Sequence, residues 1–233
     1  MLYTRLTTAI SNSFPKSPSV ANIAALASLS YFTQAQGPLS STRPMARPLP
    51  KDPLVWIDCE MTGLDLSKDR ILEIAVIITD GNLNPVDDGI EYIIKTDKDA
   101  LDSMGDWCRR QHGESGLTEA CLKSPHVHDT VRQAILDYIK KWVPRQRAAV
   151  LAGSSVHADR VFLAQEMPEV LDWLHYRIVD VSSIKELCRR WYPSQVLQKK
   201  NDDHRALADI SASIEELKWY RERIFVSPDS GNR

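Results

Sequence analysis

At 233 residues, 43% of them hydrophobic, the chain is long enough for one well-buried domain with an appendage and too short for two full-sized enzyme domains. Its bases are unevenly placed: residues 1–51 hold Arg5, Lys16, Arg43, Arg47 and Lys51 and no acid, so the 29 bases fall to 24 against all 31 acids in the remainder, a charge of −7. So acidic a body is excluded from gripping long nucleic acid along a basic stripe, which draws its affinity from many phosphate contacts, and any nucleic-acid substrate must be short.

The first 50 residues are rich in Ser, Thr and Ala and are broken by Pro15, Pro18, Pro38, Pro44, Pro48 and Pro50. That composition is that of a mitochondrial presequence, with an untargeted disordered tail as the alternative. Residues 1–50 are therefore set apart from a folded domain at 51–233. Met45 offers an internal start that would yield a second, cytoplasmic form. The nearest approach to a membrane span, Ile23–Phe32, is too short and too rich in Ala and Ser, since a bilayer needs ~20 apolar residues. Cys59, Cys108, Cys121 and Cys188 lack the close pairing of a zinc site and the density of a disulfide scaffold, which fits a reducing compartment.

From Leu54 the pattern is that of an α/β domain. The β-branched runs Leu54–Ile57, Ile71–Thr79 and Ile90–Ile94, the last two joined through the turn at Gly81–Pro85, predict an antiparallel meander. Helical spacing follows over Asp97–Gln111, Thr130–Val143, Arg160–Met167, Ser182–Trp191 and His204–Arg223, with short strands at Val150–Ala152 and Arg177–Val181 between them. Strands first, then helices alternating with strands, predict one mixed five-stranded sheet flanked by helices. The cluster His126, His128 and Asp129 has no second cluster to complete a metal motif and is expected in a solvated loop.

Asp58 and Glu60 end the first strand, and alternation puts both on one face with Cys59 on the other. Two acids on one face at the end of an apolar strand repel unless a cation lies between them, as a hard divalent metal would; a solvated strand end is the alternative. The full run is Asp58-Cys59-Glu60-Met61-Thr62-Gly63-Leu64-Asp65. It resembles the first motif of the DEDD exonucleases, and two further acids, Asp159 and Asp209, complete the set that the resemblance demands. His204, five residues before Asp209, is similar to the histidine that marks the DEDDh subgroup. The two are about 140° apart around a helix, so His204 belongs on a loop or first turn, with Asn201, Asp202 and Asp203 as cap-type residues ahead of it.

Within that subgroup the chain from Leu54 to about Phe225 resembles the oligoribonucleases, including the mitochondrial eukaryotic form. Supporting runs are Ser103–Cys108, His112–Leu117 and His175–Ser182. The resemblance implies a ribonuclease-H-like fold and removal of nucleotides from the 3′ end of very short RNA, with short DNA open. It also implies two Mg²⁺ or Mn²⁺ ions on Asp58, Glu60, Asp159 and Asp209, and His204 as general base. Leu64 and Trp107 resemble the apolar pair that sandwiches terminal bases, with core packing as their alternative. Ser155 resembles a backbone-contacting residue. Tyr176 and Arg177 resemble residues lent across a homodimer, where with His112 and Ser182 they would cap the 5′ phosphate. Ser154 and Ala208 depart from the pattern, where relatives commonly carry Asn and Asp. A longer-substrate DEDDh exonuclease, a non-catalytic relative and a metabolic phosphodiesterase are the competing functions.

Overall fold

The computed structural model describes residues 48–195 and 205–226; the basic N-terminal stretch with Met45, the segment 196–204 with His204, and 227–233 lie outside them. The elements in order are β1 (Leu54–Met61), β2 (Ile71–Thr79), β3 (Ile90–Ile93), α1 (Lys98–Asp102), α2 (Asp106–Glu114), α3 (Leu117–Lys123), α4 (His128–Trp142), β4 (Val150–Gly153), α5 (His157–Glu166), α6 (Pro168–Trp173), β5 (His175–Asp180), α7 (Val181–Trp191) and α8 (Ala206–Arg223). Among the described residues the strands form one five-stranded sheet in the order β3-β2-β1-β4-β5. β1, β2 and β3 pair antiparallel; β4 runs parallel to β1 and β5 parallel to β4. The predicted mixed sheet and the meander that opens it are what the chain forms.

The interior strand β2, Ile71-Leu72-Glu73-Ile74-Ala75-Val76-Ile77-Ile78-Thr79, is buried at every position. Both of its faces are covered. On one, Val55, Ile57, Cys59, Ile74, Val76 and Ile78 pack with Ile135, Ile139, Phe162 and Leu163 of α4 and α5. On the other, Trp56, Ala75 and Ile77 meet Val181 of α7 and Ile210, Ile214 and Leu217 of α8. Each aliphatic side chain so buried contributes about 1.5–3 kcal/mol. Period-two alternation along β1 assigns Val55, Ile57 and Cys59 to the α4–α5 side, and so turns Trp56, Asp58 and Glu60 toward α8. Trp56 donates its indole N–H to Thr79 Oγ1 at 3.0 Å, which ties the start of β1 to the end of β2.

Three departures from the sequence expectation have physical reasons. The single helix expected over Asp97–Gln111 is two: α1 starts where Asp97 Oδ1 accepts the Ala100 N–H at 2.9 Å and stops at Ser103, while Gly105, in an extended conformation, is the N-cap of α2. Helices α3 and α6 were not foreseen, since seven and six residues hold too few turns for a periodic signal. His128 and Asp129 are not in a loop but open α4. His128 Nε2 lies 3.1 Å from Glu166 Oε2, and the other oxygen of Glu166 accepts the Ile71 N–H at 3.0 Å, pinning the start of β2 to the end of α5.

Candidate active site

Asp58 and Glu60 project from β1, and Asp209 from the first turn of α8. A carboxylate oxygen of each lies within 4.8 Å of the others, and all three groups are half-buried. Asp159 stands beside them on the first turn of α5, 5% exposed, with its Oδ1 accepting the Cys59 N–H at 2.9 Å. It is not within the tight trio, so the structure gathers three acids closely and sets the fourth alongside. The expected helix from Arg160 in fact begins at His157, which is what puts Asp159 on a rigid element. His204, the expected fifth member, lies outside the described residues.

Burial and neighbouring charges hold Asp58, Glu60 and Asp159 toward their neutral forms. Burial pushes the Asp58 carboxyl well up, and the charges of Asp159, Asp209 and Glu60 add to it. Glu60 is raised to about 8 by burial, then by Asp209 and Glu73. Asp159 is raised to about 6 by burial, against which the Cys59 N–H acts. Hard carboxylate oxygens this close suit a divalent cation that takes oxygen ligands and favours their ionised state.

A neighbouring acid was missed in the sequence. Glu73, 0% exposed, stands opposite Glu60 in the β1–β2 register. Arg205 donates to it from Nε at 3.0 and 3.2 Å and from Nη2 at 2.7 Å. Arg205 Nη2 also lies 3.6 Å from Glu91 Oε2. The first N–H groups of α8 are capped from the sheet, Ala206 by Glu73 at 3.4 Å and Leu207 by Glu91 at 3.3 Å. An acid in the middle of a nine-residue apolar strand was the signal, because a buried charge must be paired.

Beyond the acids, Thr62 Oγ1 and the Asp65 N–H both donate to the Asp69 carboxylate, at 2.8 Å each. Gly63 is required in this turn, since a Cβ there would overlap that carboxylate. The turn leaves Leu64 76% exposed, and Trp107 on α2 is 56% exposed, which removes core packing as their explanation. His112, expected to help cap the 5′ phosphate, is 1% exposed. Its Nε2 donates to the Met61 carbonyl at 2.9 Å, and Nδ1 stands 3.9 Å from Glu60 Oε2 without a hydrogen-bond partner.

On the α5 side, Ser155 sits in the left-handed region at φ 56°, a conformation that non-glycine residues adopt only where the surroundings enforce it. Asp180 enforces it, accepting the Ser155 N–H at 2.9 Å and the Ser182 hydroxyl at 2.6 Å. Burial alone would raise the Asp180 carboxyl, but these bonds outweigh it and hold it below the usual range. Asp180 is thus a second group that the sequence reading did not place in the site. Tyr176 is exposed on β5, stacked on His175 with ring centroids 4.4 Å apart and with the Arg177 guanidinium 5.5 Å from its ring. Ala208 is exposed and Ser154 half-buried, so neither departure from the family pattern displaces one of the acids.

Residues 55–217 match the family model described as Exonuclease. A probable oligoribonuclease of Schizosaccharomyces pombe is 54% identical over 171 residues, 73% of this chain and 68% of that protein. The mitochondrial oligoribonuclease of Mus musculus is 49% identical over 74% of this chain and 73% of its own, and an oligoribonuclease of Mycobacterium avium is 48% identical over 76% of this chain and 84% of its own. Among solved structures, exonuclease I of Methylocaldum szegediense superposes with a TM-score of 0.57 at 19% identity, over 74% of this chain and 41% of its own. The zinc-bound complex of E. coli exonuclease I with single-stranded DNA gives 0.56 at 17%, over 75% and 41%. The chain thus spans about two fifths of those two proteins, and the likeness bears on the fold.

Proposed function

Because this chain belongs to the exonuclease family, and within it to the oligoribonucleases, we propose that Asp58, Glu60, Asp159 and Asp209 hold two divalent cations, Mg²⁺ or Mn²⁺, and that His204 is the general base. Membership makes the chain a 3′-to-5′ exoribonuclease of short oligoribonucleotides. The assignment of groups to steps is carried by one observation, the convergence of Asp58, Glu60 and Asp209 oxygens within 4.8 Å beside Asp159.

When bound, such a cation pair stabilises the attacking and departing oxygens of an in-line displacement at phosphorus. The protein's own groups do the rest. The Cys59 N–H fixes the Asp159 carboxylate, and β1 and the first turn of α8 orient the other three acids. A histidine with an ordinary pKa near ~6.5 accepts a proton from water around neutral pH, and the product is a nucleoside 5′-monophosphate. Leu64 and Trp107 offer exposed apolar surface on which terminal bases stack without regard to sequence.

Length selection belongs to a wall contributed by a second copy. β5 is an edge strand of the sheet, and Tyr176 and Ile178 on it, with Leu187, Trp191 and Tyr192 on and just after α7, are exposed. An open edge beside so many exposed apolar side chains favours burial against a homodimer partner, placing Tyr176 and Arg177 across the interface near Ser155 and Ser182. A mitochondrial location fits the composition of residues 1–50 and the mitochondrial relatives; N-terminal sequencing of the cellular protein tests both that and a cytoplasmic form starting at Met45. No helix among the described residues is long and apolar enough to cross a membrane.

The deciding experiment digests 5′-labelled RNAs of two to seven nucleotides with Mg²⁺ or Mn²⁺, alongside Asp209→Ala and His204→Ala. Stepwise loss from the 3′ end, abolished by a chelator and by either substitution, is the expected result. Equal degradation of an RNA of about 20 nucleotides overturns the short-substrate wall, and nucleotide release that survives the chelator overturns the cation pocket.

A further inference from the structure

We propose that Arg205, gripped by Glu73 and Glu91, is a positioning residue that sets where Asp209 stands relative to Asp58 and Glu60. This rests on the reading of Asp209 as a cation-holding acid. The rest of α8 does not need the grip. Ile210, Ile214, Leu217 and Tyr220 are buried against the sheet, and Arg221 reaches the Asn82 carbonyl at 2.9 Å near the helix's far end.

The first turn is different. Arg205, the residue before α8, makes no side-chain cap of its own to the helix, so the leading N–H groups depend on Glu73 and Glu91. An uncapped helix end frays within its first turn, and two carboxylates at the positive end of the dipole oppose that. Asp209 lies in this turn, its N–H bonded to the Arg205 carbonyl at 3.0 Å. Fraying would therefore move Asp209 while leaving the buried face of α8 seated. Cation–oxygen distances tolerate only about 0.2 Å, so a small shift of this one carboxylate is felt in cation affinity. The guanidinium matters because two of its nitrogens hold Glu73, Nε reaching both oxygens and Nη2 reaching Oε1, which fixes the carboxylate plane; an ammonium acts as a point charge and does not.

The test measures Mn²⁺ binding by the loss of the free-ion electron paramagnetic resonance signal, with kcat and KM on a dinucleotide, in the full chain. The variants are Arg205→Lys, which keeps the charge, and Glu73→Gln/Arg205→Gln, which leaves no buried charge unpaired. Asp209→Asn and Arg221→Ala are the references. Both test variants are expected to weaken Mn²⁺ binding and lower kcat by about 10–100-fold, with KM held within about twofold and Arg221→Ala binding Mn²⁺ as the parent does. If Arg221→Ala weakens binding as much as Arg205→Lys, the effect is general loosening of α8 and the inference is wrong. Asp209-dependent binding that both test variants leave intact sinks the inference alone. Parent binding that Asp209→Asn does not diminish sinks the cation pocket and the inference together.

Discussion

Glu60 and Glu73 face each other across the β1–β2 ladder, and the clusters to which they belong have opposite chemistry. Glu73 is fully enclosed and accepts bonds from Arg205 and the Ala206 N–H. Glu60 makes no ion pair with a lysine or arginine among the described residues; the nearby Arg205 charge lowers its carboxyl, but burial, contributing most, pushes it up to about 8. His112 Nδ1 is near Glu60 at 3.9 Å, but that is beyond hydrogen-bond length. Residue type and strand environment are nearly the same in the two clusters. What separates them is the source of the cation. A guanidinium built into the chain makes an acid part of the scaffold; an acid left to an outside ion is available for chemistry.

The sharpest way to break this contrast is to neutralise one acid on each side. Asp58→Asn is expected to lower kcat/KM by about 10³-fold or more, the scale of losing a group that steadies transition-state charge, yet to raise the thermal midpoint of the cation-free protein, because a repulsive charge is gone. Arg205→Ala should do the reverse to the fold, destabilising it by about 2–3 kcal/mol as Glu73 is left buried and unpaired. That figure stands below the full cost of breaking a buried pair because Arg205 is 36% exposed. Chemical denaturation of both variants without divalent cations checks the pair. Should Asp58→Asn lose stability as Arg205→Ala does, the acids of the pocket are structural too.

The same contrast decides what was legible in the sequence. The sheet was, because β-branched runs bounded by turns leave little choice, and so was the shared face of Asp58 and Glu60, which follows from strand alternation alone. The break between α1 and α2 was obscured because apolar spacing continues through Ser103–Gly105 while the backbone does not. Asp159 and Asp209 came from resemblance to a family, since residues about 50 and 100 positions apart carry no local signal of proximity. Arg205 was passed over although it adjoins His204, because one base in a polar run usually faces water. Only its partner Glu73, out of place in an apolar strand, announced a buried ion pair. Cys59 was read for its side chain, whereas its backbone N–H is what holds Asp159.

A smaller effect sharpens the comparison from outside both clusters. Trp107→Ala removes exposed stacking surface, so KM for a dinucleotide should rise about tenfold, the lower range for one stacked base, with the Mn²⁺ affinity unchanged. A fall in Mn²⁺ affinity would mean that α2 helps to shape the pocket, and stacking would no longer account for the residue.

The smallest expected effect is the most direct measure of the clustered acids. In the unfolded chain Asp and Glu titrate near their ordinary values of ~4, whereas in the folded protein Asp159 is raised to about 6 and Glu60 to about 8. The folded state therefore keeps protons that the unfolded state has released. Stability from that source is fully present below about pH 4 and is lost as pH rises through 6 to 8. The part lost between pH 6 and 8, chiefly from Glu60, is on the order of 2 kcal/mol, a few degrees in the thermal midpoint of a domain this size. Saturating Mg²⁺ binds the ionised form and should remove the slope, so the midpoint gained on adding it is larger at pH 8 than at pH 6. Asp58→Asn should flatten the cation-free slope, while Arg221→Ala, far from the acids, should leave it. A cation-free midpoint that is level from pH 6 to 8 would put the acids too far apart to repel, and Glu60 would then differ from Glu73 in its neighbours but not in its chemistry.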